Sequence, residues 1–489
     1  MNIRPLVVAV IFGLWALPAT AQPLFANPLG TPSGYRAARG EMPNATHRFR
    51  YEVTETLQDQ TPVVTEATIE AGADWALYRE GDLVLLYDFR LNRQFQIKSD
   101  TFTTTNGMAD VVFRVMERQN HVGLQAMLSK VDATKSMMTD CDSDSELGLS
   151  LPGYSGKTSI AFADRQGFMA LSCDGKDVGG FTAGKGAVPA AFWPTMFRTM
   201  TVHPALFKRV HESGAAPQVL EVSRGAAGRS RKSVFKLLAV EDVETPYPLT
   251  DMLRNATAEM FDTLLGPGGG QLASDVVAAR AQGGPPTLKS WSDHIAALAQ
   301  SSEADAAMLV IPSSNMFPEL DAMCSGRGNP ICAIMHRIGP MEATNPAPMA
   351  LLKMGMAEQA GNTSEVIRLM QVIAKSPQRD HPAAGASFAL ALPKFSKADI
   401  EKAKAAGLAT DVVSLQANAL KSLPYNPAYW TDAGDTHVHA YNWGSATLLY
   451  DIAFTLPMPS AVASNGVLIA KRQFFEKIRN DFPDAFLQR

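Results

Sequence analysis

The chain has 489 residues, 46% hydrophobic and 19% charged, and its 44 Lys+Arg against 48 Asp+Glu leave a formal charge of -4. That balance excludes a strongly basic nucleic-acid binder and a highly charged disordered chain. The length predicts roughly two to three domains with substantial cores. Arg4, the apolar run Leu6 to Leu17, Pro18 and the small pair Ala19 and Ala21 have the pattern of a secretory signal with its cleavage site, so residues 1–21 are expected to be removed. Twelve apolar residues are too few to span a membrane and no later run reaches about 18, so no integral membrane segment is expected. No Cys follows the signal, and no lipid anchor is expected. The predicted destination is periplasmic or secreted.

An extended segment is expected over 22–46. From His47 the apolar residues alternate: Phe49, Tyr51 and Val53 face one way, and Arg48, Arg50, Glu52 and Thr54 the other, until Glu55 breaks the apolar side. Further strands follow around Val63 to Ile69 and from Trp75 onward, reversing at Glu80-Gly81-Asp82 and Leu91-Asn92-Arg93. Between Ala109 and Val131 the period changes, placing Val112, Phe113, Met116, Leu124, Met127 and Leu128 on a helical stripe. Strands at 158–163, 168–173, 218–222 and 233–240, with helices at 190–200 and 204–211, complete an α+β domain over 47–265. The Gly/Pro-rich stretch 266–286 reads as a linker holding one short helix. Beyond it, Leu288, Trp291, Ile295 and Leu298 open an all-α domain over 287–489, with further helices at about 346–360, 364–375, 396–406, 409–422, 427–441, 443–456 and 465–480.

Residues 427–457 carry an early aromatic, Trp430, small residues Gly434, Ala446 and Ala453, a second-helix aromatic, Tyr450, and the terminating Pro457. This segment resembles a tetratricopeptide repeat, a helical hairpin whose stacked copies build a groove for a protein or peptide. It departs from the family at Ala433, His437 and the position of Pro457, which comes one residue early. Leu351, Met354, Gly355, Ile367 and Ala374 repeat the spacing less closely, so the resemblance extends over about 346–457. It implies a ligand face containing Ala428, Thr431, Asp435, Val438 and His439, with Gly434, Ala446, Tyr450 and Ala453 in the helix packing.

Four cysteines in an exported chain predict disulfides. Pairing Cys141 with Cys173 and Cys324 with Cys332 keeps each bridge inside one domain, and neither pair has the spacing of a zinc knuckle. The nucleophile elbow, the phosphate loop (GYSGKTS fails at Leu151) and the metalloprotease helix (His211-Glu212 lacks its second His) are all missing from the sequence, and Ser233-x-x-Lys236 falls on a predicted strand. Gly268 to Gly270 has no strand-then-helix setting for a phosphate, and no cofactor is implied. Asp432, Asp435 and His439 share a helical face and form a weak metal candidate. Met323, Met335 and Met341 near His336 form a weak copper candidate. Asn44, Asn255 and Asn362 lie in glycosylation sequons. The leading expectation is an exported, non-enzymatic binding or assembly protein with a protein or peptide partner. The alternatives are a periplasmic hydrolase with its site in the sheet or the interdomain cleft, and a metal-handling protein.

Overall fold

The computed structural model describes residues 37–98, 101–131, 139–152, 158–226, 229–248, 253–281, 287–313, 316–317, 320, 324, 329–456 and 466–487. The signal segment, Met323 and the GYSG turn lie outside the described residues. Among the described residues, no helix is long and apolar enough to cross a membrane.

The first half is one antiparallel sheet built from two meanders. Strands β1 (Ala45–Leu57), β2 (Val63–Ala71), β3 (Trp75–Glu80), β4 (Leu83–Asp88), β5 (Arg93–Lys98) and β6 (Thr101–Asn106) run outward from the centre. After helices α1 (Ala109–Val131) and α2 (Asp140–Leu147), the chain returns through β7 (Ile160–Arg165), β8 (Phe168–Cys173) and β9 (Lys176–Thr182). Helices α3 (Phe192–Thr199) and α4 (Pro204–Glu212) follow, then β10 (Val219–Ala226) and β11 (Arg229–Thr245), which pairs with β1. The order is β6-β5-β4-β3-β2-β1-β11-β10-β9-β8-β7.

The alternation in β1 explains this layout. Phe49, Tyr51 and Val53 are buried under the covering helices, while the opposite face is laced by ion pairs such as Arg48–Glu70 and Arg50–Glu66, both 2.9 Å. The strand runs past Glu55 to Leu57 because that carboxylate meets Arg231 across the sheet. The helical stripe expected on α1 is corrected in part. Val112 is buried and Met116 partly so, but Phe113, Leu124 and Met127 are exposed, and Val111 and Val115 take the inner face. The side chain of Leu128 lies outside the described residues.

The second half begins with α5 (Leu253–Leu265) and α6 (Gly269–Ala281), so a 13-residue helix occupies much of the Gly/Pro-rich stretch. Its glycines permit close packing: a Cβ on Gly269 would stand 2.4 Å from the Phe261 carbonyl oxygen, and one on Gly270 2.5 Å from that of Ala258. Then come α7 (Leu288–Ser301), α8 (Glu303–Ser313), α9 (Pro330–Met341), α10 (Ala347–Gln359), α11 (Thr363–Ala374), α12 (Pro382–Ala391), α13 (Lys397–Ala405), α14 (Val412–Ser422), α15 (Pro427–His439), α16 (Trp443–Thr455) and α17 (Gly466–Asp481).

The two halves share a core. Ala446 and Tyr450 of α16, with Phe475 and Ile478 of α17, belong to the same buried cluster as Phe49 and Tyr51 of the sheet. Arg93 of β5 and Asp451 of α16 form an ion pair in which both side chains are 0% exposed, and Asn106 donates to Asp451 at 2.8 Å. The last residues are also tied to the sheet half: Arg198 Nε donates to the Ala485 carbonyl at 3.0 Å, and its guanidinium packs against the rings of Tyr87, Phe89 and Phe486.

Candidate functional site

The candidate face is built on α15. Asn426 caps the helix by accepting the Ala428 N–H at 3.0 Å, and Pro427 takes the first position, where no N–H is needed. Trp430 is fully buried and donates its indole N–H to the Pro424 carbonyl at 2.7 Å, which sets the helix against the chain entering it. A Cβ on Gly434 would come within 2.4 Å of the Tyr450 ring, so the crossing of α15 and α16 depends on glycine there. Ala446, Tyr450 and Ala453 are all buried, as expected of packing residues.

The residues expected to face a ligand separate into different environments. Thr431 is 2% exposed and donates its hydroxyl to the Pro427 carbonyl one turn back, at 2.9 Å. It belongs to the packing, which corrects its assignment to the ligand face. Val438 is half-buried and packs on the shared core. His439 is exposed and Ala428 half-buried. Asp435 is half-buried, accepting from the Tyr450 hydroxyl and from Lys471 Nζ of α17 at 2.5 Å. The Lys471 ammonium also lies 5.3 Å from the centre of the Tyr450 ring. The last helix therefore covers part of the face that the sequence leaves open.

Asp432, one turn before Asp435, has a different setting. It is half-buried, and its carboxylate has no hydrogen-bond or ion-pair partner among the described residues. Burial, then the negative charge of Asp435, pushes it up to about 7, against the weaker opposing pull of Lys471. Glu358 of α10 adds to the rise, although its own charge is matched by Lys394. His437, on the same helix, is held below its ordinary range by burial.

The metal candidates are not assembled. Asp432, Asp435 and His439 do not bring their ligand atoms within 4.8 Å of one another, because Asp435 turns toward Lys471 and Tyr450 while His439 points outward. Among the described residues, the group that does meet this distance is Cys141, Cys173 and Asp174, whose two sulfurs are joined to each other. Both expected disulfides are present, Cys141–Cys173 with Cα atoms 5.9 Å apart and Cys324–Cys332 with 5.1 Å. Met335 lies with its sulfur 3.9 Å from that of Cys324, Met341 packs into the helical core and His336 is exposed, so these three do not converge as a copper site.

No family model, curated protein or solved structure matches this chain.

Sequence reasoning missed the groups that act on this face from a distance, Lys471 and Glu358 with Lys394. No local spacing marks them. It also passed over two His-Pro dipeptides with a readable signal. His203 and His381 each cap a helix whose first residue is proline, their Nδ1 atoms accepting the Ala205 and Ala383 N–H groups at 3.2 Å.

Proposed function

We propose that this is an exported, non-enzymatic binding or assembly protein that captures a protein or peptide segment through a basic side chain docked on Asp432. The observation that carries this reading is the unmatched, half-buried carboxylate of Asp432 beside two acids that already hold lysines, Asp435 with Lys471 and Glu358 with Lys394. An incoming Lys or Arg would neutralise a charge that burial disfavours, so part of its binding energy comes from relieving the free protein. Export is supported by the signal pattern of residues 4–21 and by two disulfides, which persist in oxidising compartments.

The test is calorimetric titration of the full chain with short acetylated, amidated peptides containing Arg or Lys, at pH 8 and pH 6. Binding requires ionised Asp432, so affinity should fall as pH drops through about 7, and Asp432→Asn should lose about tenfold in affinity at pH 8 and show no pH step. Failure of every basic peptide to bind, or binding indifferent to both pH and the Asn variant, overturns the reading.

A further inference from the structure

A cleft of about 440 Å³ lies among the end of α11, the turn into α12, the turn after α13, and α14. Its size falls within the range of small-ligand sites. Its apolar side is made by Phe388, Leu408 and Leu415, and its polar side includes Arg379, Asp380, His381 and Asn418. These elements differ from those that carry Asp432, so the cleft stands or falls independently of the proposed function.

The hydrogen-bond arithmetic of His381 determines what the cleft offers. The ring nitrogen Nδ1 accepts the Ala383 N–H at 3.2 Å as the cap of α12, so it carries a lone pair and the neutral ring must hold its proton on Nε2. Burial holds the imidazole below its ordinary range against a smaller opposing effect of Asp305, which favours this neutral form. The Nε2–H is then a donor of fixed orientation, and it has no acceptor among the described residues. At the rim, Arg379 gives its Nε–H to Asp380 at 3.2 Å, leaving its two terminal amino groups without a protein acceptor among the described residues. Asp305 is engaged by the Gln378 side-chain amide at 3.1 Å. With Asp380 and Asp305 each already accepting a hydrogen bond, the ring and guanidinium keep unused donors on residues that line the cleft together with apolar Phe388, Leu408 and Leu415.

We propose that this cleft binds a carboxylate on an apolar body, the acid end taken by the His381 Nε2–H and the Arg379 guanidinium, the body resting on Phe388, Leu408 and Leu415. Two sources carry that chemistry: a free aliphatic or aromatic monocarboxylic acid, and the C-terminal residue of a polypeptide ending in an apolar side chain. The recognition is the same for both, and the probes separate them.

The experiment uses the full chain and two pairs of probes: octanoate with octanamide, and a hexapeptide ending in Phe as the free acid with its C-terminal amide. At least one acid should bind saturably and at least about tenfold more tightly than its amide, the expected margin for a charge-assisted contact. The key variant is His381→Asn, because Asn is among the best helix caps and preserves α12 while removing the ring donor. It should melt close to the native chain yet lose about tenfold in affinity for the acid, as should Arg379→Gln at the rim. Preference for octanoate identifies a small acid as the ligand, and preference for the peptide acid identifies a chain terminus. If neither acid binds, if amides bind as well as acids, or if both variants bind normally, the proposal is wrong.

Discussion

At the scale of single residues, the notable groups are those whose charge the fold opposes. His203 is buried, with Nδ1 used as the cap of α4 and Nε2 without a partner among the described residues, and burial lowers it to about 4. The unfolded chain binds a proton near pH 6.5 and the folded chain does not, so this group weakens the fold as pH falls from 6.5 toward 4. Asp432 works in the opposite direction: raised to about 7, it weakens the fold as pH rises from its ordinary range through 7. The overall pH profile mixes the two, but a variant isolates one. Replacing His203 by Asn, which keeps the cap, should remove acid sensitivity worth up to about 3 kcal/mol between pH 6.5 and 4. Urea titrations of both proteins across that window check it, and parallel profiles would show that His203 does not supply the sensitivity.

At the scale of elements, two helices with no face turned to water, α8 and α12, went unread, and so did α9, whose exposed Met335, His336 and Arg337 oppose buried Ile331, Ile334 and Ile338. The capped helices α15 and α16 announce themselves through Asn426, Pro427 and Asn442 and through their spaced aromatics. By contrast, α8 (Glu303–Ser313) and α12 were missed because Ala304, Ala306, Ala307, Met308, Leu309 and Val310, like Ala383, Ala384, Ala386, Phe388 and Ala389, are buried nearly all round. A helix without a wet face has no stripe to detect. Strand β9 was missed for a related reason, since Gly179-Gly180 interrupts its pattern. The crossing of α15 with α16 offers a direct test. Gly434→Ala inserts a methyl group where the Tyr450 ring already sits, so it should destabilise the chain by about 1–3 kcal/mol, and Tyr450→Leu in the same chain should restore part of that loss. Chemical denaturation of the single and double variants measures the coupling; an unperturbed Gly434→Ala protein would mean that the helices separate freely.

At the scale of the whole molecule, the shared core makes the sheet and the helices mechanically dependent. Burial raises Asp451 to about 6 despite Arg93 and Asn106, so the pair is not a simple source of stability. Its partners lie 358 residues apart in sequence, and it places a polar requirement at the centre of the junction. Removing one partner strands the other: Asp451→Ala should cost about 3–5 kcal/mol, whereas Arg93→Met with Asp451→Leu should recover most of it. Unfolding followed separately through disulfide-proximal hydrogen exchange in the sheet and in the C-terminal helices gives the readout. Loss of a common transition in Asp451→Ala is expected, and an unaffected single transition would show that the pair does not couple the halves.

Alternation in β1, turn residues at Gly81 and Asn92, and helical spacing after Leu288 were enough to establish the α+β class, because backbone periodicity and local hydrogen bonding depend on neighbours in the chain. The disulfide pairing was legible for the same reason, each bridge closing a local segment. Which face of α15 meets water was not. Thr431 and Asp435 lie one turn apart, yet one is sealed in the packing and the other is held by a lysine from a helix beginning at residue 466. Burial, and with it the charge on Asp432, depends on what docks from elsewhere. Only the tertiary structure decides that, because a side chain's solvation is a property of its surroundings and not of its position in the chain.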